Sequence, residues 1–595
     1  MSNPEDNHGL SRRQFLGLTG GVAGMAALVS MGIPPGWADN TTAVDLQKRA
    51  DKAYETDVLV IGGGMAGLFA AVKAHDAGAK VMMISKGRLG ASGQTPFAKG
   101  MFAYDEKTAK MSLDEFTAAV SRSALGTNNP VYTRQMAEHS QARVNELKEW
   151  GFFDSVLYNK PFSKPITERN IPLIERVMIT HLIKENGKIA GAAGFSLDAE
   201  QVITFHAKSV ILCTGAGGFK PNGFPICDLT HDGTVMAYHI GAKVTGKEWN
   251  DGHPGQADNA AACFDGWHGM FERKPDVTGV EIRHDLGVDL NYIAYINGNP
   301  LEGGPPPELM RKNKVKGGPY KPEGFDHSSP PPGGEAGLAG GPPPRGEEPP
   351  RHGPPPGGEG GLPPGMSQTP VGGSSAGMAI HKSEGLVPIN DQCESTIPGL
   401  YAAGDALGSY MAGAIYTQIG SSLTGSAVQG AIAAQAAARY CQNTPMPTLS
   451  AATLSTIKAE ILAPLKRKAG YGPAWVTQTL QGVMIPNFVL YIKKESMLKA
   501  ALAYIEELRD HHMPMLRAAD MHELRLAHET ANMIISAEMK LKASLMRTES
   551  RCSHYRLDYP ELDNQNWQAW INIHKDAEGN MQLEKQPFGS WPTQA

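Results

Sequence analysis

The stretch that most limits what this chain can become is residues 56–71, TDVLVIGGGMAGLFAA. An apolar run meets glycines at positions 62, 64 and 67, and an alanine-rich amphipathic pattern follows at once. That order predicts a buried strand, a tight turn and a helix. In G-x-G-x-x-G spacing the first glycine makes the turn, the second lets a pyrophosphate approach, and the third packs helix on strand. The helix N-terminus is left open to an anion. Gly62, Gly64, Met65, Ala66 and Gly67 are therefore candidate nucleotide contacts. The next strand, KVMMIS, ends in Ser85 and Lys86, where an acidic residue usually holds the adenosine ribose. A serine hydroxyl can do that work, so Ser85, Lys86, Ser92 and Gly93 of SKGRLGASGQT join the candidates.

Two distant segments narrow the nucleotide to FAD. SVILCTGAGG reads as a strand running into a glycine turn at Thr214 and Gly215, and STIPGLYAAGDALG as another ending at Gly404 and Asp405. An FAD site needs a late strand to bring a carboxylate and backbone groups to the ribityl chain, and Asp405 is the natural candidate. The small-residue helix beginning Gly420, Ser421, Ser422, Leu423 would then aim its positive end at the flavin ring and stabilise charge on the reduced form. The four pieces in this order predict an α/β, Rossmann-like FAD-binding domain.

The chain resembles the flavoprotein subunits of fumarate reductase and succinate dehydrogenase, a group that also takes in L-aspartate oxidase and the alpha chain of adenylylsulfate reductase. VIGGGMAGLFAA, VMMISKGRLGAS, SVILCTGAGGF, GAKVTGKEWNDGHPG and STIPGLYAAGDA match successive family segments, and LMRTESRCSHYRLDYPELDNQNW resembles the family's C-terminal region. The resemblance runs over about residues 55–570. It implies an FAD domain in two parts (52–253 and 371–445), an inserted α+β capping domain (254–370) and a C-terminal helical domain (446–595). It also implies an iron–sulfur or cytochrome electron-transfer partner. Covalent-flavin members carry a histidine after the Ser-Lys pair; ASGQTPFAKG has none, so non-covalent FAD is expected.

Family fumarate reductases hold a dicarboxylate with two histidines and two arginines. His253 in EWNDGHPG and His381 in HKSEGLVPIND match the histidine motifs, although Asp251 replaces a glutamine. The arginines do not match. MAGAIYTQIGSS puts Gln418 where the second substrate arginine stands, and the proton-delivering segment has no counterpart, Arg283 being the nearest cation. Two carboxylates taken from water need charge-assisted partners, and an amide supplies no compensating charge. A neutral, monoanionic or aromatic substrate fits better, with Tyr410, Tyr416 and Gln418 lining its pocket and His253, His381 or a tyrosine supplying a proton.

The first 38 residues, with Arg12-Arg13, a Gly/Ala-rich apolar run and a GWA ending, read as a twin-arginine signal for export to the periplasm, the alternative being an uncleaved anchor. Any membrane contact would then be indirect, through a partner. The net charge of −5 gives no reason to expect nucleic acid. Six scattered cysteines form no metal or haem spacing, so electrons must come from a separate protein. Residues 303–365 repeat a Pro/Gly/Glu theme, either a lid or docking arm or a tolerated low-complexity insertion. The sequence thus favours an FAD oxidoreductase acting on a small organic molecule. Alternatives are an adenylylsulfate-reductase-like enzyme acting on a sulfur compound and a non-catalytic electron-transfer subunit.

Overall fold

A computed structural model describes residues 51–98, 100–155, 157–198, 201–220, 226, 228–250, 254–256, 276–280, 282, 370–372, 383–415, 417–418, 420–485, 487–490 and 492–590. The signal segment, most of the capping domain and the Pro/Gly repeat lie outside them. The chain enters the main sheet as β1 (Lys52–Ile61), turns through three glycines into α1 (Met65–Asp76) and returns as β2 (Val81–Ser85). Val58, Leu59 and Val60 of β1 are fully buried on both faces, as a central parallel strand requires. A short strand β3 (Gly100–Phe102) and helices α2 (Leu113–Ser123) and α3 (Pro130–Glu149) follow. A Ser112/Glu115 capping box starts α2, and Pro130 at the first turn starts α3.

Strands β4 (Leu173–Glu175), β5 (Val177–Glu185), β6 (Lys188–Ser196) and β7 (Val202–Leu212) complete most of the sheet, in the order β4-β2-β1-β7-β6-β5. Helix α4 (Asp232–His239) and strand β8 (Val244–Thr245) come next, then β9 (Asp276–Thr278), which pairs with β3, and β10 (Gly385–Leu386). The last strand of the sheet, β11 (Leu400–Ala402), pairs parallel with β7. Along one edge β7 bonds β6 over its first half and β11 over its last three residues. The long helix α5 (Ser421–Gln442) then crosses α1 closely: a side chain at Gly430 would stand 2.3 Å from the Ala66 carbonyl oxygen.

Helix α6 (Ala451–Lys466) follows, and α7 (Pro473–Met484), α8 (Glu495–Glu507) and α9 (Met521–Met546) form a second apolar cluster around Val476, Leu480, Leu498, Ile505 and Ile534. The C-terminal part is not helical throughout. Its aromatic tail forms a hairpin, β12 (Ala569–Lys575) and β13 (Met581–Pro587), which joins β8 and β10 in a four-stranded sheet. The alternation in AWINIHK has the two-residue period of a strand, and Ile571 and Ile573 are fully buried. No helix among the described residues is long and apolar enough to cross a membrane. Cys213, Cys393, Cys441 and Cys552 are buried free thiols; Cys227 and Cys263 lie outside the described residues.

Candidate active site

Register alone brings the first glycine turn and the late Gly-Asp turn together. Ile61 pairs with Ile84 on one side and Leu212 on the other, and Leu212 pairs with Ala402. Ser85, Gly62, Cys213 and Ala403 therefore stand in a row at the C-terminal ends of four adjacent parallel strands, where open α/β sheets bind their ligands. The turn is packed tightly. Gly62 has φ +128°, and a Cβ there would lie 2.0 Å from the Cys213 carbonyl oxygen, while one at Gly67 would lie 1.9 Å from the Gly62 carbonyl oxygen. Thr95 Oγ1 accepts the Met65 N–H at 3.2 Å and closes the first turn of α1.

A cleft opens over this row. Of the nucleotide candidates, Gly62, Gly64, Met65, Ala66, Ser85 and Lys86 line it, as do Ser92, Gly93, Thr214, Gly215, Gly404 and Asp405. Gly67 lies beneath it, in the packing of α1 on the sheet. Ser421, Ser422 and Leu423 do not reach this wall; they form the start of α5, whose N-cap Gly420 offers no side-chain cap. Sequence reasoning missed Asp228, Asp232, Thr95, Gln94 and Ser426, which also line the cleft. Gly93 N–H donates to Asp228 Oδ2 at 3.0 Å, a contact across 135 positions that no local pattern signals.

Lys86 is the most heavily partnered of the candidates. Its Nζ donates to Asp232 Oδ2 at 2.6 Å, Glu529 Oε1 at 2.9 Å and Thr230 Oγ1 at 3.2 Å. Burial works against its charge, but Asp232 and Glu529 outweigh that and raise its pKa above the usual lysine value. Burial likewise pushes the Asp232 carboxyl up, and Lys86 more than offsets it, leaving Asp232 below the ordinary range.

Toward the start of α5 the chemistry is different. Gln418 is fully buried, and neither its amide nitrogen nor its amide oxygen has a hydrogen-bond partner among the described residues. Its backbone bridges to Ile282. Buried side-chain atoms of Ser422, Thr214 and Gln94 are also unpartnered. Buried polar groups left open in this way are completed by a polar ligand or by ordered water. Thr214 and Gln94 in the cleft, with the uncapped helix start beyond, fit an FAD.

Tyr410 does not belong to the pocket. Its ring stacks on Trp570 at 5.2 Å and its hydroxyl meets Thr245 Oγ1 at 3.0 Å, so packing against the C-terminal hairpin turns it into the core. His253, His381, Arg283 and Tyr416 lie outside the described residues. Three arginines of the C-terminal motif are buried, but each is held by an acid: Arg547 by Glu248, Arg551 by Glu549 and Arg556 by Asp558. Among the described residues no group of three His, Cys, Asp or Glu side chains could hold a metal ion.

The segment that leads to His253 is fixed from behind by lysines. Lys540 Nζ donates to the carbonyls of Lys247 and Trp249 at 2.9 and 2.8 Å, and Lys493 Nζ to that of Glu248 at 2.6 Å. Burial, opposed by Glu384, brings the Lys540 pKa down to about 8.

These features define an FAD-dependent oxidoreductase. A family model described as an FAD binding domain matches residues 57–164, and one described as the fumarate reductase flavoprotein C-terminus matches 477–592. The chain is 25% identical to a fumarate reductase (CoM/CoB) chain of Methanothermobacter marburgensis, over 88% of this chain and 98% of the relative. It is 22% identical to L-aspartate oxidase of Streptomyces coelicolor, over 91% and 95%. Among solved structures it is similar to Mycobacterium smegmatis Sdh1 in the apo form, with TM-score 0.67, 23% identity and 91% and 96% coverage. Adenylylsulfate reductase of Archaeoglobus fulgidus gives TM-score 0.65, 19% identity and 92% and 98% coverage. Its two ends thus match models of an FAD binding domain and of a fumarate reductase flavoprotein C-terminus, the chain is similar to fumarate reductase and L-aspartate oxidase flavoproteins along most of its length, and its cofactor is FAD.

Proposed function

We propose that this protein is a periplasmic FAD oxidoreductase that moves a hydride between flavin and a small organic molecule other than fumarate or succinate, exchanging electrons with a separate iron–sulfur or cytochrome protein. The observation that carries the substrate reading is Gln418: fully buried, uncharged, and with neither amide atom bonded by a described residue. A C4 dicarboxylate brings two charges into a buried site, and a bidentate arginine compensates one of them where an amide does not. The amide instead suits a carbonyl, hydroxyl or single carboxylate, to which it both donates and accepts.

Gly62 to Gly64 and the start of α1 take the pyrophosphate, Ser85 the adenosine ribose, and Asp405 with Gly404 the ribityl chain. FAD, held non-covalently, supplies the two-electron chemistry. The start of α5 favours negative charge at the ring, and His253, His381 or a tyrosine delivers the proton. The periplasmic address follows from Arg12-Arg13 and the apolar run after them. Separate electron delivery follows from cysteines too scattered to hold a cluster.

The test is anaerobic. The reduced protein is mixed in turn with fumarate, unsaturated monocarboxylates, ketones and sulfur compounds while flavin absorbance is followed. Rapid reoxidation by a neutral or monoanionic compound supports the reading. Reoxidation by artificial dyes alone would move the assignment to an electron-transfer protein. Acid precipitation should leave the yellow colour in the supernatant; colour in the pellet would mean a covalent flavin.

A further inference from the structure

In this fold the end of β2 is where a dinucleotide's adenosine ribose is held, and the residue there decides between a free 2′-hydroxyl and a 2′-phosphate: an acid selects the first, a cation the second. This chain places a cation, Lys86, at that point. Lys86 also borders a second cavity beside the cleft, lined in addition by Arg176, His522, Arg525 and Asp228. By residue type alone this end of the site invites a phosphate.

Glu529 occupies the centre of that charge. It comes from α9, far from the nucleotide-binding part of the sequence, and its carboxylate is fully buried. Oε1 accepts from Lys86 at 2.9 Å and stands 3.6 Å from Arg525 Nη1, while Oε2 accepts from Lys220. Three cations thus converge on one carboxylate, an arrangement otherwise used for a phosphate. Burial raises the Glu529 pKa, but Lys86 and Lys220 outweigh it, so the group is held below the ordinary range as the anion. One turn along α9, Asn532 donates to Asp232 Oδ1 at 2.8 Å and steadies the second carboxylate on Lys86. Glu529 and Asn532, three residues apart, share the helix face turned toward the cleft.

We propose that Glu529 is a specificity-determining residue for the nucleotide: an internal carboxylate that takes the place of a phosphate, cancels Lys86, Lys220 and Arg525, and restricts the adenosine end to an unphosphorylated ribose. The C-terminal helix therefore completes the FAD site and does not merely pack beside it.

Competition against FAD tests this. Holoprotein is equilibrated with ADP or adenosine 2′,5′-bisphosphate, and released flavin is read by fluorescence. The natural protein should prefer ADP by about tenfold or more, because a 2′-phosphate would meet the buried carboxylate at close range. Glu529→Gln keeps the shape and frees the cations, so the preference should shift by about tenfold or more toward the bisphosphate and become salt-dependent. Adding Lys86→Met to Glu529→Gln should reverse most of that shift. If Glu529→Gln does not fold, Asp232→Asn, which removes the other carboxylate from Lys86, should shift preference in the same direction. A merely structural role would lower the melting temperature of Glu529→Gln and leave the ratio of the two affinities at the natural value. That result, in whichever of the two variants folds, overturns the proposal.

Discussion

The Lys86 end of the cleft and the start of α5 beyond it treat buried polar groups in opposite ways. At the adenosine end the chain satisfies itself: Lys86 has three partners, and Glu529 gathers three cations in a fully buried position. At the start of α5 it leaves groups open, with Gln418 and Ser422 each carrying a buried atom that no described residue bonds. A buried polar atom without a partner costs about 1–3 kcal/mol. A chain tolerates several such atoms together where a ligand supplies the missing bonds.

The largest effect should come from the turn between the two ends. A Cβ at Gly62 would stand 2.0 Å from the Cys213 carbonyl carried by β7, and φ +128° is strained for any other residue. Gly62→Ala should yield protein with no bound flavin, checked by the flavin absorption band after gel filtration. Full flavin content in that variant would mean that the strand row is spaced more loosely than its register implies.

Next is the buried lysine behind the open end. Lys540 titrates near pH 8 in the folded protein against 10.5 when free. Between those values the unfolded chain binds more protons, so this group makes stability rise with pH. Wild type should gain about 2 kcal/mol from Lys540 between about pH 7.5 and 9.5, and Lys540→Met should lack that increment. Urea unfolding at the two pH values measures it. Equal gains in both proteins would contradict the shifted lysine.

The smallest effect sharpens the contrast most. If Gln418 is held unsatisfied for the sake of a ligand, Gln418→Leu should stabilise the flavin-bound, substrate-free protein by about 1 kcal/mol while lowering turnover with whichever compound reoxidises the flavin. Thermal melts and reoxidation rates on the same samples check both halves. A loss of stability without a loss of turnover would make Gln418 an ordinary core residue.

Much of this was legible in the chain. G-x-G-x-x-G between an apolar run and an amphipathic one fixes a strand, turn and helix locally, and the late GLYAAGD needs only a parallel register beside β7 to reach the same row. Local patterns do not carry charge across hundreds of positions. Nothing near Lys86 announces that Glu529 will neutralise it, and nothing near Gly93 points to Asp228. Tyr410 illustrates the converse: it sits among pocket motifs in the sequence, yet the aromatic tail recruits it into the core. The hairpin in the aromatic tail was hard to read for a related reason, because the strand period of AWINIHK is short and becomes decisive only when β8 offers an edge.

The central claim is the proposal that a pocket with Gln418 at its wall does not take a C4 dicarboxylate. Stopped-flow mixing of the anaerobically reduced protein with fumarate tests it most directly. The account predicts reoxidation no faster than in buffer alone, under conditions where a neutral or singly charged unsaturated compound reoxidises the same sample. Rapid, saturable reoxidation by fumarate would contradict it and would mean that Gln418 does not set the charge of the pocket.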